Sequence, residues 1–258
     1  MKSVKIDLSS KLKGIEIHTF SDWHIGDYNC NMQLIKSEIE RVKNTPEAYC
    51  ILNGDLCNTA LKTSVSDIYS EKLSPMEQIN TCVELLEPIK DKILAITSGN
   101  HENRTYKNDG LEITRLIARQ LGLEKRYASE GIVLFIRLGE TSGGNHYRKQ
   151  SYSIYVTHGT GGGGKVGSKA NRLADVAGII DVDVYLHAHT HLPLIFKEAF
   201  YRAYHNANTV ALVDKLFVNT AAALKYGGYG QQAGFKPAST ANPVIYLSGS
   251  KREMVAKL

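Results

Sequence analysis

Residues 14–24 read Gly-Ile-Glu-Ile-His-Thr-Phe-Ser-Asp-Trp-His. The first seven alternate apolar and polar side chains, which predicts a strand over Gly14 to Phe20, and Asp22 and His24 follow it at once. The same arrangement recurs twice. Ala48 to Leu52 runs into Asn53-Gly54-Asp55, and Lys92 to Thr97 runs into Ser98-Gly99-Asn100-His101. Helical spacing separates these strands. Asn31 to Lys43 carries Met32, Leu34, Ile35, Ile39 and Val42 on one face, and a third helix is expected over Asp109 to Leu121. Between them, Ser74 to Lys90 opens on Ser74-Pro75 with Glu77, a capping signal with Pro at the first helical position. Strands alternating with helices predict a parallel sheet covered by helices, and ligands of such sheets gather beyond the carboxyl ends of the strands. The polar clusters stand at those ends.

Beyond residue 130 the pattern changes. Strands are expected over Gly131 to Leu138, Tyr152 to Thr157, Val182 to His187, Leu194 to Tyr204, Thr209 to Val213, Leu216 to Asn219 and Pro243 to Leu247, with one helix over Val166 to Ile179. This implies a second, mostly antiparallel or mixed sheet. The expected class is α/β, a four-layer α/β/β/α sandwich of two mixed sheets flanked by helices. No linker or repeat divides the chain, so residues 1–258 are expected to form one domain, with the glycine-rich stretches 141–145 and 159–164 as loops inside it.

Composition sets outer bounds. At 258 residues with 43% hydrophobic and 22% charged side chains, the chain can bury a sizeable core and is neither disordered nor fibrous. No run of about eighteen apolar residues is present, which excludes a helical membrane span. Met1 to Lys13 lacks the apolar stretch of a signal peptide, so a cytoplasmic location is expected. Cys30, Cys50, Cys57 and Cys82 follow no metal-ribbon spacing, and Cys50 and Cys82 read as small core residues. The net charge of +5 suits a phosphate-bearing substrate, nucleic acid included, without requiring one.

Five polar clusters each adjoin an apolar strand: Asp22-Trp23-His24, Gly54-Asp55, Gly99-Asn100-His101-Glu102, Thr157-His158-Gly159 and His187-Ala188-His189-Thr190-His191. Alternation along a strand would point the pairs Asp22/His24 and His189/His191 to one side. Imidazole suits zinc and iron and carboxylate suits manganese and magnesium, so the mixed set suggests a pair of divalent transition metals.

In this order the clusters resemble the calcineurin-like metallophosphoesterase superfamily, from Gly14 to roughly Thr220. One departure is Ala188, where the family usually has Gly. The resemblance implies that Asp22, His24 and His191 hold one metal, that Asn100, His158 and His189 hold the other, and that Asp55 bridges both. The ions would be manganese, or iron with zinc or manganese. His101 would stay unligated near the leaving-group oxygen as general acid, with Asp55 and Asn100 completing the catalytic set and Glu102 orienting His101. Two ions about 3.5–4 Å apart can generate a shared hydroxide near neutral pH and clamp both oxygens of an in-line displacement.

Other residues are weighed beside these. His187 is expected on the opposite face of its strand, His18 inside a strand, and His146 and His205 in polar segments without a signal. Gly159 to Lys165 nearly spells a phosphate-cradling P-loop, but Val166 stands where Ser or Thr should bind magnesium. Joined to the site through His158, the loop offers Lys165, Lys169 and Arg172 as candidate phosphate contacts, or as solvated charges; Arg104 is a further candidate, or a surface ion pair. Tyr226 to Phe235 is expected to be a hairpin loop, the alternative being a flap that stacks on a base.

The expected function is metal-dependent hydrolysis of phosphoesters, leaning to phosphodiesters such as DNA, RNA or nucleotides. A phosphomonoesterase acting on proteins or small molecules is the alternative. A P-loop NTPase and a catalytically idle metal-bound binding module rank lower. The sequence carries no signal for an oligomeric state.

Overall fold

The computed structural model describes residues 1–62, 64, 68–143, 146–161, 163–232 and 234–258, and describes only the backbone of 141–143, 146, 147 and 229. Of the stretches singled out above, Gly144, Asn145, Gly162 and Ala233 lie outside the described residues.

Two six-stranded mixed sheets form the centre. In the first, β2 (Gly14–Phe20), β3 (Ala48–Asn53), β4 (Ile93–Thr97) and the short β5 (Tyr127–Ala128) run parallel. On its other side β11 (Val244–Ser248) and β12 (Met254–Lys257) continue it antiparallel. The second sheet has the order β1-β6-β7-β8-β10-β9, from β1 (Lys2–Asp7), β6 (Gly131–Gly143), β7 (His146–Thr157), β8 (Val184–His187), β10 (Thr209–Asn219) and β9 (Leu194–Tyr204).

Period-two alternation builds the interior. Ile15 and Ile17 of β2 and Ile51 of β3 pack against Ile132, Leu134, Ile154, Val184 and Leu216 of the second sheet. Each such side chain contributes about 1.5–3 kcal/mol on leaving water. The opposite face of the first sheet, through Phe20, Cys50 and Leu52, meets the apolar stripes of α1 (Met32–Asn44), α2 (Pro75–Leu86) and α4 (Ile113–Gln120). The outer face of the second sheet stacks Tyr185 and Phe217 beneath Leu173 of α5 (Val166–Asp175). The result is the four-layer α/β/β/α sandwich.

Local signals are borne out where they are strong. Ser74 and Glu77 form the reciprocal cap at the start of α2, with Pro75 at its first position. All four cysteines are free, and Cys50 and Cys82 are fully buried. Other boundaries differ. The expected strands Thr209–Val213 and Leu216–Asn219 are one strand, β10, held by continuous antiparallel pairing with β9. Thr141–Gly143 is the end of β6 and not a loop. Three strands, β1, β5 and β12, lie outside the expected ones. No helix among the described residues is long and apolar enough to cross a membrane.

Candidate metal centre

The carboxyl ends of β2, β3 and β4, with those of β7 and β8, bring all five polar clusters together. One atom each from Asp22, His24 and His191 falls within a 4.8 Å set, and one each from Asp55, His158 and His189 falls in another. A third set, His24, Asp55 and His101, links the two. Asp22 Oδ1 is 3.1 Å from His191 Nε2, which is 3.3 Å from His24 Nε2. On the other side His158 Nε2 is 3.2 Å from both Asp55 Oδ2 and Asn100 Oδ1. Asp22, His24, Asp55 and His158 are buried, whereas Asn100, His101, His189 and His191 reach solvent. The cluster therefore opens on one side.

The backbone explains how these side chains converge. Asp22, His24, Asp55, His189 and His191 all have φ between +49° and +65°. The left-handed region costs a non-glycine residue about 1–2 kcal/mol, and such strain concentrates at functional sites. Both D-x-H and H-x-H segments lie past their strands, so alternate left-handed residues, and not strand alternation, aim each pair at a common point. That corrects the sequence expectation. Two glycines permit the close approach. A Cβ at Gly99 would sit 2.0 Å from Asp55 Oδ1, and one at Gly54, where φ is +79°, would sit 2.7 Å from His158 Nδ1.

The donor set fits a cation. His158 donates Nδ1–H to the Asn53 carbonyl at 2.7 Å, so in the neutral ring Nε2 presents its lone pair to two oxygens. Among the described residues the buried Asp22 Oδ1 meets only the His191 ring nitrogen, in an ion-pair contact and not a well-formed hydrogen bond, while Oδ2 accepts from Ser21. Lone-pair atoms crowded in this way require positive charge between them. Without a metal, protons carry it. Burial would lower the His158 pKa, but Asp55 beside it overrides this and holds it up at about 10. Burial would likewise raise the Asp22 and Asp55 carboxyls, and the neighbouring imidazoles hold both below the usual carboxylate range. Burial pushes His24 down to about 3.

Glu102 does not orient His101. Its Oε2 accepts the N–H groups of Asp55 and Gly99, and its Oε1 accepts that of Cys57. It therefore ties the Asp55 loop to the start of α3 (Asn100–Asp109). Burial and the Asp55 charge push its carboxyl up to about 7, against the N–H donors that favour the ionised form. His101 is oriented by Asn58, whose carbonyl accepts its Nδ1–H at 3.0 Å, leaving Nε2 3.9 Å from Asp55 Oδ2. Burial lowers the His101 pKa to about 4.

The other candidates divide. Arg104 lies three residues beyond His101 on α3, half-buried, and forms no ion pair among the described residues. Lys169 donates to the Thr190 carbonyl at 2.6 Å, so its ammonium steadies the His189–His191 loop. Lys165 and Arg172 are exposed. His187 is buried and outside all three sets, donating Nδ1–H to Asn219 Oδ1 at 2.7 Å.

Asn219, outside all five polar clusters of the sequence, is the hub of that loop. Its Nδ2 donates to Thr190 Oγ1 at 2.9 Å and to the Leu192 carbonyl at 2.7 Å. A polar residue closing an apolar strand was the available signal. Asn219→Leu should weaken divalent-metal binding by about 10–100-fold, as loss of an outer partner typically does. Isothermal titration with manganese checks this, and unchanged affinity would remove the assigned role.

The family model for calcineurin-like phosphoesterases matches residues 15–193. The chain belongs to this family. Similar solved structures include a conserved uncharacterized protein from Streptococcus pneumoniae TIGR4, described as a predicted phosphoesterase, at 15% identity and TM-score 0.38, covering 95% of this chain and 90% of that one. A metallophosphoesterase from Sphaerobacter thermophilus aligns at 13% identity and TM-score 0.41 over 91% and 84% of the two chains. A Vps29 single mutant from Entamoeba histolytica aligns at 14% and 0.40 over 95% and 100%. No curated protein matches. As a calcineurin-like phosphoesterase, the chain carries His and Asp clusters able to bind metal, and its family implies phosphoester substrates.

Proposed function

We propose that this calcineurin-like phosphoesterase hydrolyses phosphodiesters with two divalent cations, manganese or iron paired with zinc or manganese. The observation that carries the reading is the two donor sets, Asp22–His24–His191 and Asp55–His158–His189, linked by a third that holds His24 and Asp55 together. Asp22, His24 and His191 would hold one cation, Asn100, His158 and His189 the other, and Asp55 both. When bound, such cations lower the pKa of water to supply a nucleophile at neutral pH and neutralise charge on the phosphoryl oxygens.

The chain's own groups do the rest. The four buried donors exclude bulk water from the floor, while the exposed Asn100 and half-buried His189 and His191 leave the mouth open to an ester with substituents on both sides. His101 keeps its Nδ1 proton on the Asn58 carbonyl, so a second proton must reside on Nε2, the atom free to pass it to a leaving oxygen. An anionic ester beside the ring favours that protonated form, opposing the burial that otherwise depresses it. Arg104, on the same face of α3, supplies a fork for a non-bridging oxygen.

The basic balance supports the lean toward diesters, and Val166, exposed at the start of α5, gives the P-loop reading no magnesium ligand. Residues 1–258 acting as one domain is supported by β1, β11 and β12 being built into the same two sheets. Four free cysteines agree with a reducing cytoplasm. The test is turnover after chelation and readdition of manganese, iron or zinc, with bis(p-nitrophenyl) phosphate against p-nitrophenyl phosphate. Metal-dependent turnover favouring the bis-aryl ester is expected. A preference for the mono-aryl ester would make this a phosphomonoesterase, and no turnover with any metal would leave an idle binding module.

A further inference from the structure

Exposed aromatic side chains gather where two loops meet beside the candidate metal centre. Tyr28 is 67% exposed, Tyr226 52% and Phe235 50%. Tyr28 follows the Asp22–His24 segment, and the loop that carries Tyr226 leaves the carboxyl end of β10. Hydrogen bonds join the two loops: Lys225 N–H donates to the Asn29 carbonyl at 2.8 Å, and Asn31 N–H to that of Ala223 at 2.8 Å. The second loop also touches the site, since Ala223 N–H donates to the Asp22 carbonyl at 3.0 Å. Tyr226 OH donates to the Phe235 carbonyl at 2.8 Å, drawing those residues together. The segment is not the expected hairpin. It contains one helical turn, α6 (Gly228–Gln232).

Cations are interleaved with the rings. Lys72 Nζ lies 4.2 Å from the centre of the Tyr28 ring, and Lys72 N–H donates to the Gly26 carbonyl at 2.8 Å. Lys72 and Lys225 are both exposed. The Tyr28 and Tyr226 rings, more than half exposed beside a polar cleft, call for an occupant. Lysines among them match a polyanion that also presents flat apolar faces.

We propose that this rim, formed by Tyr28, Lys72, Lys225, Tyr226 and Phe235, binds single-stranded nucleic acid, with bases stacked on the rings and phosphates on the lysines. The inference deepens the phosphodiesterase reading and rests on it for the reaction. The strand must be single because paired bases have their faces already stacked. The burial of Asp22 and Asp55 points the same way, as a flexible backbone can lower one phosphate to the cleft floor.

The test is fluorescence anisotropy in EDTA with labelled oligothymidylate, oligouridylate and a duplex, at low and physiological salt. The wild-type protein should bind the single strands more tightly than the duplex, with affinity falling steeply as salt rises. Tyr28→Ala and Tyr226→Ala should each weaken single-strand binding by about 5–100-fold, while Tyr226→Phe retains it. Tyr201→Ala, 81% exposed on the far hairpin of β9 and β10, should bind like wild type. Tighter binding of either sugar supports the rim and identifies the natural strand. Equal binding of duplex and single strand, or unaffected Tyr→Ala variants, would overturn it. Wild-type turnover of bis(p-nitrophenyl) phosphate, measured alongside, separates the two readings. Turnover without strand binding defeats the rim alone, and strand binding without turnover defeats the phosphoesterase reading and leaves the rim.

Discussion

Asp55→Ala should lower metal-dependent hydrolysis of bis(p-nitrophenyl) phosphate by well over about 100-fold, more than the loss of an outer partner costs, and should reduce bound metal per chain. Asp55 belongs to the donor set with His158 and His189 and also to the linking set with His24 and His101. Its Oδ1 accepts the His101 N–H at 2.8 Å, and its Oδ2 lies 3.2 Å from His158 Nε2. Alanine removes both contacts and the negative charge that two neighbouring cations would share. Asp55→Asn separates these effects, because the amide oxygen keeps the His101 N–H bond while the charge is lost. Elemental analysis and turnover on the same samples check the prediction. If Asp55→Ala kept wild-type turnover and metal, the joined donor sets would carry no function.

The sequence made this site legible because its chemistry is local in each cluster. Each of the five clusters follows or closes an apolar run, and β2 and β9 begin and end where alternation predicts. What the sequence hid was mostly non-local. β1 alternates Lys2, Val4 and Ile6, but its strand partner is β6, more than a hundred residues away, and no nearby turn announces the pairing. The helix α3 has no apolar stripe. Its start is fixed by Glu102 accepting the Gly99 N–H, so a polar sequence that reads as a loop is helical. The same Glu102 looked like a partner for His101 because they are adjacent in sequence. On a helix, adjacent side chains diverge, and Glu102 turns inward to the Asp55 loop while His101 faces the mouth. Asn58 could not be read at all, since it acts through its carbonyl and not its side chain.

His101→Asn should lower kcat for alkyl phosphodiesters by about 10²–10⁴-fold, the usual contribution of a positioned acid, while leaving metal content unchanged. The loss should be much smaller for p-nitrophenyl esters, whose leaving group departs without a proton. This contrast matters because the structure also places His101 in a set with His24 and Asp55, where it could be read as a ligand. Its Nε2 stands 3.9 Å from Asp55 Oδ2, against 3.2 Å for that of His158, and Arg104 follows it on the same helix. Ring position and exposure therefore favour a role toward substrate. A ligand's removal would strip metal and slow every ester alike. A proton donor's removal would leave metal in place and slow esters in proportion to the basicity of the departing oxygen. Loss of metal in His101→Asn, or equal slowing of aryl and alkyl esters, would reassign the ring.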